Sequence, residues 1–109
     1  MRDKAATRAF YVDGLGFQDI GRADFHDYLI LARDGLEVHF FRHTTLNPLE
    51  NYGQLYLRTE NIHALNTLAL AHNLTFSSGG HLEAKPWGQL EFSLIDPDHN
   101  LLTFGQTAG

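Results

Sequence analysis

Histidine is the residue type in this sequence that most strongly suggests metal binding. Seven histidines occur among 109 residues, and the chain has no cysteine. Imidazole nitrogens bind divalent metals, but a metal site needs three or four ligands that converge on one ion. His39 and His43 are close in sequence, yet they run from a predicted strand into a loop and would not converge. The other five are scattered over predicted helix faces and turns: His26, His63, His72, His81 and His99. We therefore expect mostly surface histidines and no metal site.

No other arrangement of side chains indicates catalysis. The chain has no cysteine nucleophile, and no serine lies in the strand-to-helix turn that presents a nucleophile in hydrolases. The Gly14-x-Gly16 segment lacks the strand-to-helix setting of a phosphate-binding loop. Glu37 and Glu91 could share one face of a sheet, but an acidic lining attracts a cation as readily as it transfers protons. These patterns favour a binding protein over an enzyme.

The charge balance restricts the partners. Thirteen acidic and eight basic residues give a formal net charge of −5. Nucleic-acid recognition needs a surplus of Lys and Arg on one face, so the composition argues against it and favours a cationic ligand. The apolar runs are too short for a membrane span, and residues 1–10 lack the apolar segment of a signal peptide. We expect a cytoplasmic protein that binds neither nucleic acid nor membrane.

The elements that must position these residues follow from periodicity and turn residues. Asp3 is a suitable N-cap for a helix over 3–13, which a glycine-rich turn ends. Three strands are predicted after this helix: 17–20, 28–32 and 36–42. The dipeptide Asp34-Gly35 joins the last two strands as a hairpin.

Alternation along residues 36–42 assigns the two faces of the third strand. Leu36, Val38 and Phe40 are apolar and should pack under the helix. Glu37, His39 and Phe41 should lie on the opposite face. The same argument assigns five aromatic residues to the core: Phe10, Tyr11, Phe40, Phe92 and Phe104.

The pattern begins again after a polar linker at 43–53. The second half reads as a strand, a helix and three further strands: 54–58, 62–72, 75–77, 90–95 and 101–104. The two halves therefore form a structural repeat. We predict an α+β fold of two βαβββ modules in a single domain, 1–109, in which the first module lacks its N-terminal strand. Module one covers 1–42 and module two covers 54–109.

Two signatures in the chain resemble those of a known superfamily. The first is Ala9-Phe10-Tyr11 followed by Gly14-Leu15-Gly16-Phe17, and the second is Lys85-Pro86-Trp87-Gly88, then Glu91-Phe92, then DPDHNLL at 96–102. Together they resemble the glyoxalase/bleomycin-resistance, or vicinal oxygen chelate, superfamily, and the match is closest to its bleomycin resistance proteins. Members begin with a strand before the first helix. The resemblance thus implies that this strand precedes Met1 or that a partner chain completes the sheet edge.

The resemblance also bears on a metal. Enzymes of this superfamily hold a divalent metal with side chains from four strands, one of them the absent first strand. The other three positions correspond to His39, Gln54 and Thr103 in this sequence. Because Thr103 places a neutral hydroxyl where a carboxylate is usual, the resemblance implies no metal and no cofactor.

The resemblance implies a non-catalytic protein that sequesters a bleomycin-type cationic glycopeptide antibiotic in a cleft at the interface of a homodimer. Trp87 would stack on a planar heteroaromatic group, and Glu91 would hold a cationic tail. The expected ligand-binding residues are Phe25, Tyr28, His39, Phe41, Gln54, Tyr56, Trp87, Gly88, Glu91 and Ser93.

Other interpretations stay open on the sequence. One possibility is that Trp87 is an anchor at an interface or in the core. Another is that the dimer interface buries Phe41 and Tyr56 without contact to a ligand. One alternative function is a metal-dependent glyoxalase-like or dioxygenase-like enzyme that uses His39 and Gln54 with a ligand from outside this chain. Another is a small-molecule sensor of the same fold.

Overall fold

Two β-sheets, each with a helix against it, make up the fold. The computed structural model describes residues 1–108. The first half contains helix α1 (Lys4–Arg8), a π-helical segment (Ala9–Gly14) and strands β1 (Gln18–Asp19), β2 (Tyr28–Arg33) and β3 (Leu36–Phe41). After a single 3-10 turn (Pro48–Glu50), the second half contains β4 (Gln54–Arg58), α2 (Ile62–Ala71), β5 (Glu83–Ala84), β6 (Gln89–Ile95) and β7 (Leu101–Thr107). The predicted α+β class is confirmed.

The first helix begins as predicted, and its backbone hydrogen-bond pattern changes from α-helical to π-helical part-way along. The Asp3 carboxylate caps α1 by accepting hydrogen bonds from the backbone N–H groups of Ala5 and Ala6 at 2.9 and 3.4 Å. The predicted helix over 3–13 is continuous, but its second half has π-helical spacing. The wider turn allows the sequence neighbours Phe10 and Tyr11 both to reach the core, where both are buried.

The predicted hairpin between β2 and β3 is confirmed. Arg33 pairs with Leu36, and the two residues between them, Asp34 and Gly35, have φ angles of 52° and 80°. Two successive left-handed residues form the short turn whose twist matches that of an antiparallel strand pair. β1 pairs with the other side of β2, so the first sheet has the order β1–β2–β3.

The second sheet has the order β4–β7–β6–β5, with β4 parallel to β7 and the other neighbours antiparallel. The expected strand over 75–77 is wrong. Only one bridge, between Phe76 and Leu94, joins that segment to β6, and the short β5 completes the sheet. The segment turns because the Gly80 N–H donates to the Ser77 carbonyl and the glycine packs against the backbone of β6.

Strand β3 lies at the edge of the first sheet. The Met1 ammonium donates to the Phe41 carbonyl at 2.7 Å, and the His43 N–H donates to the Met1 carbonyl at 2.8 Å. Within residues 1–108, the first sheet has three strands and the second has four. The outer edge of β3 corresponds to the edge of β7 that β4 covers in the second sheet.

The core combines aliphatic side chains with six aromatic rings. All five aromatic residues predicted for the core are buried: Phe10, Tyr11, Phe40, Phe92 and Phe104. Tyr11 packs against Phe40 with ring centroids 4.9 Å apart, and Phe92 stacks on Phe104 at 5.2 Å. In the described part of the chain, no helix is long and apolar enough to cross a membrane.

A buried hydrogen-bond network at the turn between β6 and β7 joins the two halves. The Asp96 carboxylate accepts from the backbone N–H groups of Asp98 and Asn100, as aspartate side chains commonly do in turns. It also accepts from the Tyr11 hydroxyl at 2.8 Å. Asp98, itself buried, accepts from Arg2 Nε at 2.9 Å. The turn therefore fastens the N-terminal segment to the second sheet.

Candidate functional site

Five large aromatic side chains that the sequence predicts to bind ligand are exposed. Their exposed fractions are 49% for Phe25, 37% for Tyr28, 66% for Phe41, 47% for Tyr56 and 65% for Trp87. Exposed clusters of large apolar side chains mark surfaces that contact a ligand or another chain. These residues are therefore candidates for contact with a ligand or with another chain.

Trp87 is held at the tip of the β5–β6 hairpin. The Gly88 N–H donates to the Lys85 carbonyl at 3.0 Å, and the Lys85 N–H donates to the Gln89 carbonyl at 2.7 Å. Pro86 occupies the second position of this turn, and Gly88 ends it with a φ of 82° that disfavours residues with a side chain. The sequence Lys-Pro-Trp-Gly thus specifies a turn that carries the indole ring out of the sheet.

The Glu91 carboxylate lies between two aromatic side chains. Its Oε2 atom accepts from the Tyr56 hydroxyl at 2.7 Å and from Trp87 Nε1 at 2.9 Å. Glu91 is only 9% exposed, although both of its donors belong to exposed residues. Hydrogen bonds to an ionised acceptor are roughly twice as strong as those between neutral groups. The carboxylate therefore restrains both rings.

Tyr56 reaches Glu91 because position 105 carries no side chain. Strands β4, β7 and β6 lie side by side, so Tyr56 on β4 has to cross β7. It crosses over Gly105, which is the residue paired with Glu91. A Cβ at position 105 would lie 2.9 Å from Tyr56 Cε1 and closer still to Cζ and the hydroxyl oxygen. Glycine at this position is therefore a requirement of the contact.

The surroundings of Tyr56 favour its neutral form. Partial desolvation, then the hydrogen bond to Glu91 and the negative charge of that carboxylate, raise the pKa of Tyr56 above its ordinary value. The Arg58 guanidinium, 5.9 Å from the centre of the Tyr56 ring, acts in the opposite direction. The phenol thus remains a hydrogen-bond donor to Glu91 at neutral pH.

A cavity of about 280 Å³ lies beside these side chains. Four of the predicted ligand-binding residues line it: Tyr56, Trp87, Glu91 and Ser93. The Ser93 hydroxyl lies 2.8 Å from the hydroxyl of Thr103, which also lines the cavity. The loop at 77–80 contributes to the lining as well, and the sequence interpretation missed it. Its Ser-Ser-Gly-Gly composition indicates a turn but carries no sign of where that turn packs.

A second group of predicted residues lies on the first sheet. The Tyr28 hydroxyl is 2.8 Å from His39 Nδ1, and His39 Nε2 is 2.8 Å from Glu37 Oε2. Exposure alternates along β3 as predicted, so Glu37, His39 and Phe41 share one face. His39, Phe41 and Gln54 line a cavity of about 440 Å³. Both ring nitrogens of His39 are already engaged by neighbouring side chains of its own sheet.

Phe25 and Gly88 line neither of these two cavities. Phe25 belongs to the loop between β1 and β2, where its carbonyl accepts a hydrogen bond from the Lys4 ammonium. Gly88 shapes the hairpin turn and presents no side chain. The structure thus places four of the ten predicted residues at one cavity and three at the other, and it leaves Phe25, Tyr28 and Gly88 outside both.

The histidines lie at the surface. All seven are exposed, as the sequence predicts for most of them. Among residues 1–108, no group of three or more His, Cys, Asp or Glu side chains is arranged to hold a metal ion. Of the three residues that the resemblance matches to metal ligands, His39 contacts Glu37 and Thr103 contacts Ser93. These donors are committed to hydrogen bonds within the protein.

Several known proteins are similar to this chain, including the following three. A bleomycin resistance protein of Klebsiella pneumoniae is 30% identical over 109 residues, covering 93% of this chain and 82% of the relative. The crystal structure of a bleomycin resistance determinant encoded on the transposon Tn5 has a TM-score of 0.84 and 30% identity, over 98% of this chain and 91% of that chain. The crystal structure of a bleomycin-binding protein complexed with bleomycin has a TM-score of 0.81 and 30% identity, over 98% and 92% of the two chains. No protein-family model matches the chain.

Proposed function

The chain belongs to the family of bleomycin resistance proteins, and we propose that it binds and sequesters a bleomycin-type cationic glycopeptide antibiotic without converting it. A similar protein, 30% identical, binds bleomycin in a crystal. On this chain, the proposal is carried by one observation: Trp87 is 65% exposed yet held in place by a hydrogen bond to a buried carboxylate.

Stacking on flat rings is the first contribution that this surface can make. A bleomycin-type drug carries planar heteroaromatic rings, and the exposed face of an indole is well suited to stack on them. Tyr28 and Phe41 are directly paired across β2 and β3, so they lie on one face of the first sheet and offer further aromatic area. The proposed ligand-binding set remains the ten residues of the sequence prediction, with Thr103 added.

Negative charge is the second contribution. The formal net charge of −5 favours the approach of a cationic ligand at low ionic strength. Glu37 contributes an exposed carboxylate on the first sheet. We therefore expect the rate of association to fall as salt is added.

A second copy of the chain is the third element of the proposal. The binding surface is open to solvent on both sheets, and a cleft that encloses most of a large ligand needs walls on both sides. A homodimer that places two such surfaces opposite one another would supply them. In this arrangement the exposed Phe41 packs at the interface.

The hydrogen-bonding side chains of the site are consistent with binding a ligand without converting it. Thr103 is a neutral hydroxyl paired with Ser93, and Glu91 is occupied by Tyr56 and Trp87. These side chains can hold a ligand by hydrogen bonds and stacking. The Ser93 and Thr103 hydroxyls are hydrogen-bonded to each other and not to a carboxylate or imidazole that could act as a general base.

Calorimetric titration with copper-loaded bleomycin tests the proposal. We expect binding at micromolar concentrations or tighter, with unchanged antibiotic recovered by mass spectrometry. Trp87→Ala should weaken binding at least about tenfold, because a large stacking surface is lost. Tyr52→Ala is the matched control, since Tyr52 is an even more exposed aromatic residue that lines neither cavity. A folded protein that gives no heat with the drug would refute the proposed function.

A further inference from the structure

We propose that Glu91 acts as a positioning residue for Trp87, and that together with Tyr56 it presets the indole ring before any ligand arrives. This inference rests on the proposed function and deepens it, because it assigns Glu91 a role other than holding a cation. Its basis is the arrangement of three side chains and one glycine on adjacent strands.

One oxygen of the Glu91 carboxylate accepts two hydrogen bonds from neighbouring side chains. Tyr56 and Trp87 both donate to the same oxygen, Oε2, at 2.7 and 2.9 Å. Both donors are neutral, so the carboxylate is held by hydrogen bonds and not by a cation. Glu91 is buried at the base of the hairpin, whereas the ring of Trp87 projects from its tip. A buried acceptor beneath an exposed ring is suited to orient that ring.

Gly105 is the second, independent observation. Tyr56 could not reach across β7 if any side chain stood at position 105. The sheet therefore leaves a gap that serves the Tyr56–Glu91 hydrogen bond. That bond in turn fixes the carboxylate that receives Trp87.

Presetting the ring has a definite consequence for binding. An unrestrained indole at a hairpin tip samples several rotamers and loses that freedom when a ligand stacks on it. Immobilising one such side chain weakens affinity by about 3- to 10-fold, and a ring that is already ordered avoids most of this loss. The role of Glu91 should therefore be visible both in the motion of Trp87 and in the affinity for the ligand.

The experiment uses the fluorescence of Trp87, the only tryptophan in the chain. Glu91→Leu removes the acceptor, and Glu91→Gln keeps an oxygen acceptor without the charge. We expect the fluorescence anisotropy of Trp87 to fall in Glu91→Leu and to be largely retained in Glu91→Gln. Copper-loaded bleomycin should bind Glu91→Leu about 3- to 10-fold more weakly than the parent. The loss in Glu91→Gln should be smaller, because an oxygen acceptor is kept. Circular dichroism checks that each variant is folded.

Two further variants separate this role from its rivals. In a Trp87→Ala background, Glu91→Leu should cause no additional loss of affinity, because a positioning residue acts through its target. Tyr56→Phe removes a single hydroxyl and provides a milder test of the anisotropy if Glu91→Leu is poorly folded. Two results together would show a cation site and overturn the inference. Glu91→Gln and Glu91→Leu would lose affinity equally, and the difference between each variant and the parent would shrink as added salt weakens binding by the parent. Unchanged anisotropy in folded Glu91→Leu and Tyr56→Phe would overturn it as well.

The failure of this inference differs from the failure of the proposed function. The anisotropy of Trp87 is measured on the free protein and does not depend on any drug. A protein that fails to bind bleomycin but loses anisotropy in Glu91→Leu would refute the proposed ligand and support the positioning of the ring. A protein that binds the drug with no change in anisotropy would do the reverse.

Discussion

The Tyr11 hydroxyl donates a buried hydrogen bond to the Asp96 carboxylate at 2.8 Å, across 85 positions of the sequence. Tyr11 follows helix α1, and Asp96 begins the turn between β6 and β7. This contact joins the helix of the first half to the sheet of the second half. Because both residues are buried, the bond contributes to stability and its loss cannot be fully compensated by water.

The pH dependence of stability should report on Tyr11. Burial, together with the charge of Asp96 and the hydrogen bond to it, raises the pKa of Tyr11 well above its ordinary value. A raised pKa in the folded state means that the contribution is complete below about pH 10, the pKa of an unfolded tyrosine, and is lost as the pH rises further. Tyr11→Phe should lower the free energy of unfolding by about 1 kcal/mol at pH 7. The difference between the two proteins should shrink above pH 10, as measured by urea unfolding. A constant difference would contradict the assignment.

Asp96 should be among the most sensitive positions in the chain. Its carboxylate accepts hydrogen bonds from two backbone N–H groups, from the Asn100 side chain and from Tyr11. Asp96→Ala leaves these donors without a buried partner, and we expect a loss of about 3 kcal/mol in urea unfolding. Asp13→Ala is the control, because Asp13 is exposed and should change stability by no more than about 0.5 kcal/mol. Similar losses in the two variants would argue against the network.

Gly105→Ala should disturb both the fold and the site. The added methyl group overlaps the Tyr56 ring, so we expect a loss of about 2 kcal/mol in stability and lower fluorescence anisotropy of Trp87. Adding Tyr56→Ala should remove the clash. The double variant should then be more stable than additivity of the two single changes predicts. Additive losses would mean that the clash is relieved elsewhere.

The interface prediction concerns Phe41. In the proposed dimer this side chain, exposed in the single chain, becomes buried against the second copy. Phe41→Glu places a charge there, and desolvating an unpaired charge is costly. We expect sedimentation analysis to find a dimer for the parent protein and a monomer for Phe41→Glu. Leu49→Glu, at a more exposed position in the linker, should leave the dimer intact. A monomeric parent protein would refute the arrangement.

The metal content of the purified protein distinguishes the proposed binding protein from a metal-dependent enzyme. We expect protein purified without chelator to contain well below one divalent metal ion per chain by elemental analysis. The reason is the donor set, in which Thr103 offers a neutral hydroxyl and His39 is engaged by Tyr28 and Glu37. One tightly held ion per chain, lost in His39→Ala, would favour an enzyme.

The elements that short stretches of sequence could predict are those governed by neighbouring residues. Asp3 caps its helix, Asp34-Gly35 turns its hairpin and Asn73 takes the left-handed conformation at the end of α2. Each outcome depends on contacts within a few positions. The strand expected over 75–77 failed for the opposite reason. The segment forms one bridge, between Phe76 and Leu94, and then turns at 77–80, where it packs against β6, which is distant in sequence.

For the candidate site, the sequence by itself determined which residues we expect to contact a ligand. The resemblance to the superfamily was enough to select Tyr56, Glu91 and Trp87. Only the tertiary structure decided what these residues do to one another. The hydrogen bond from Tyr56 to Glu91 spans β4, β7 and β6. It passes over Gly105, where a side chain would block the Tyr56 ring. Local periodicity specifies the face on which a side chain lies, but strand order and register specify what it can reach.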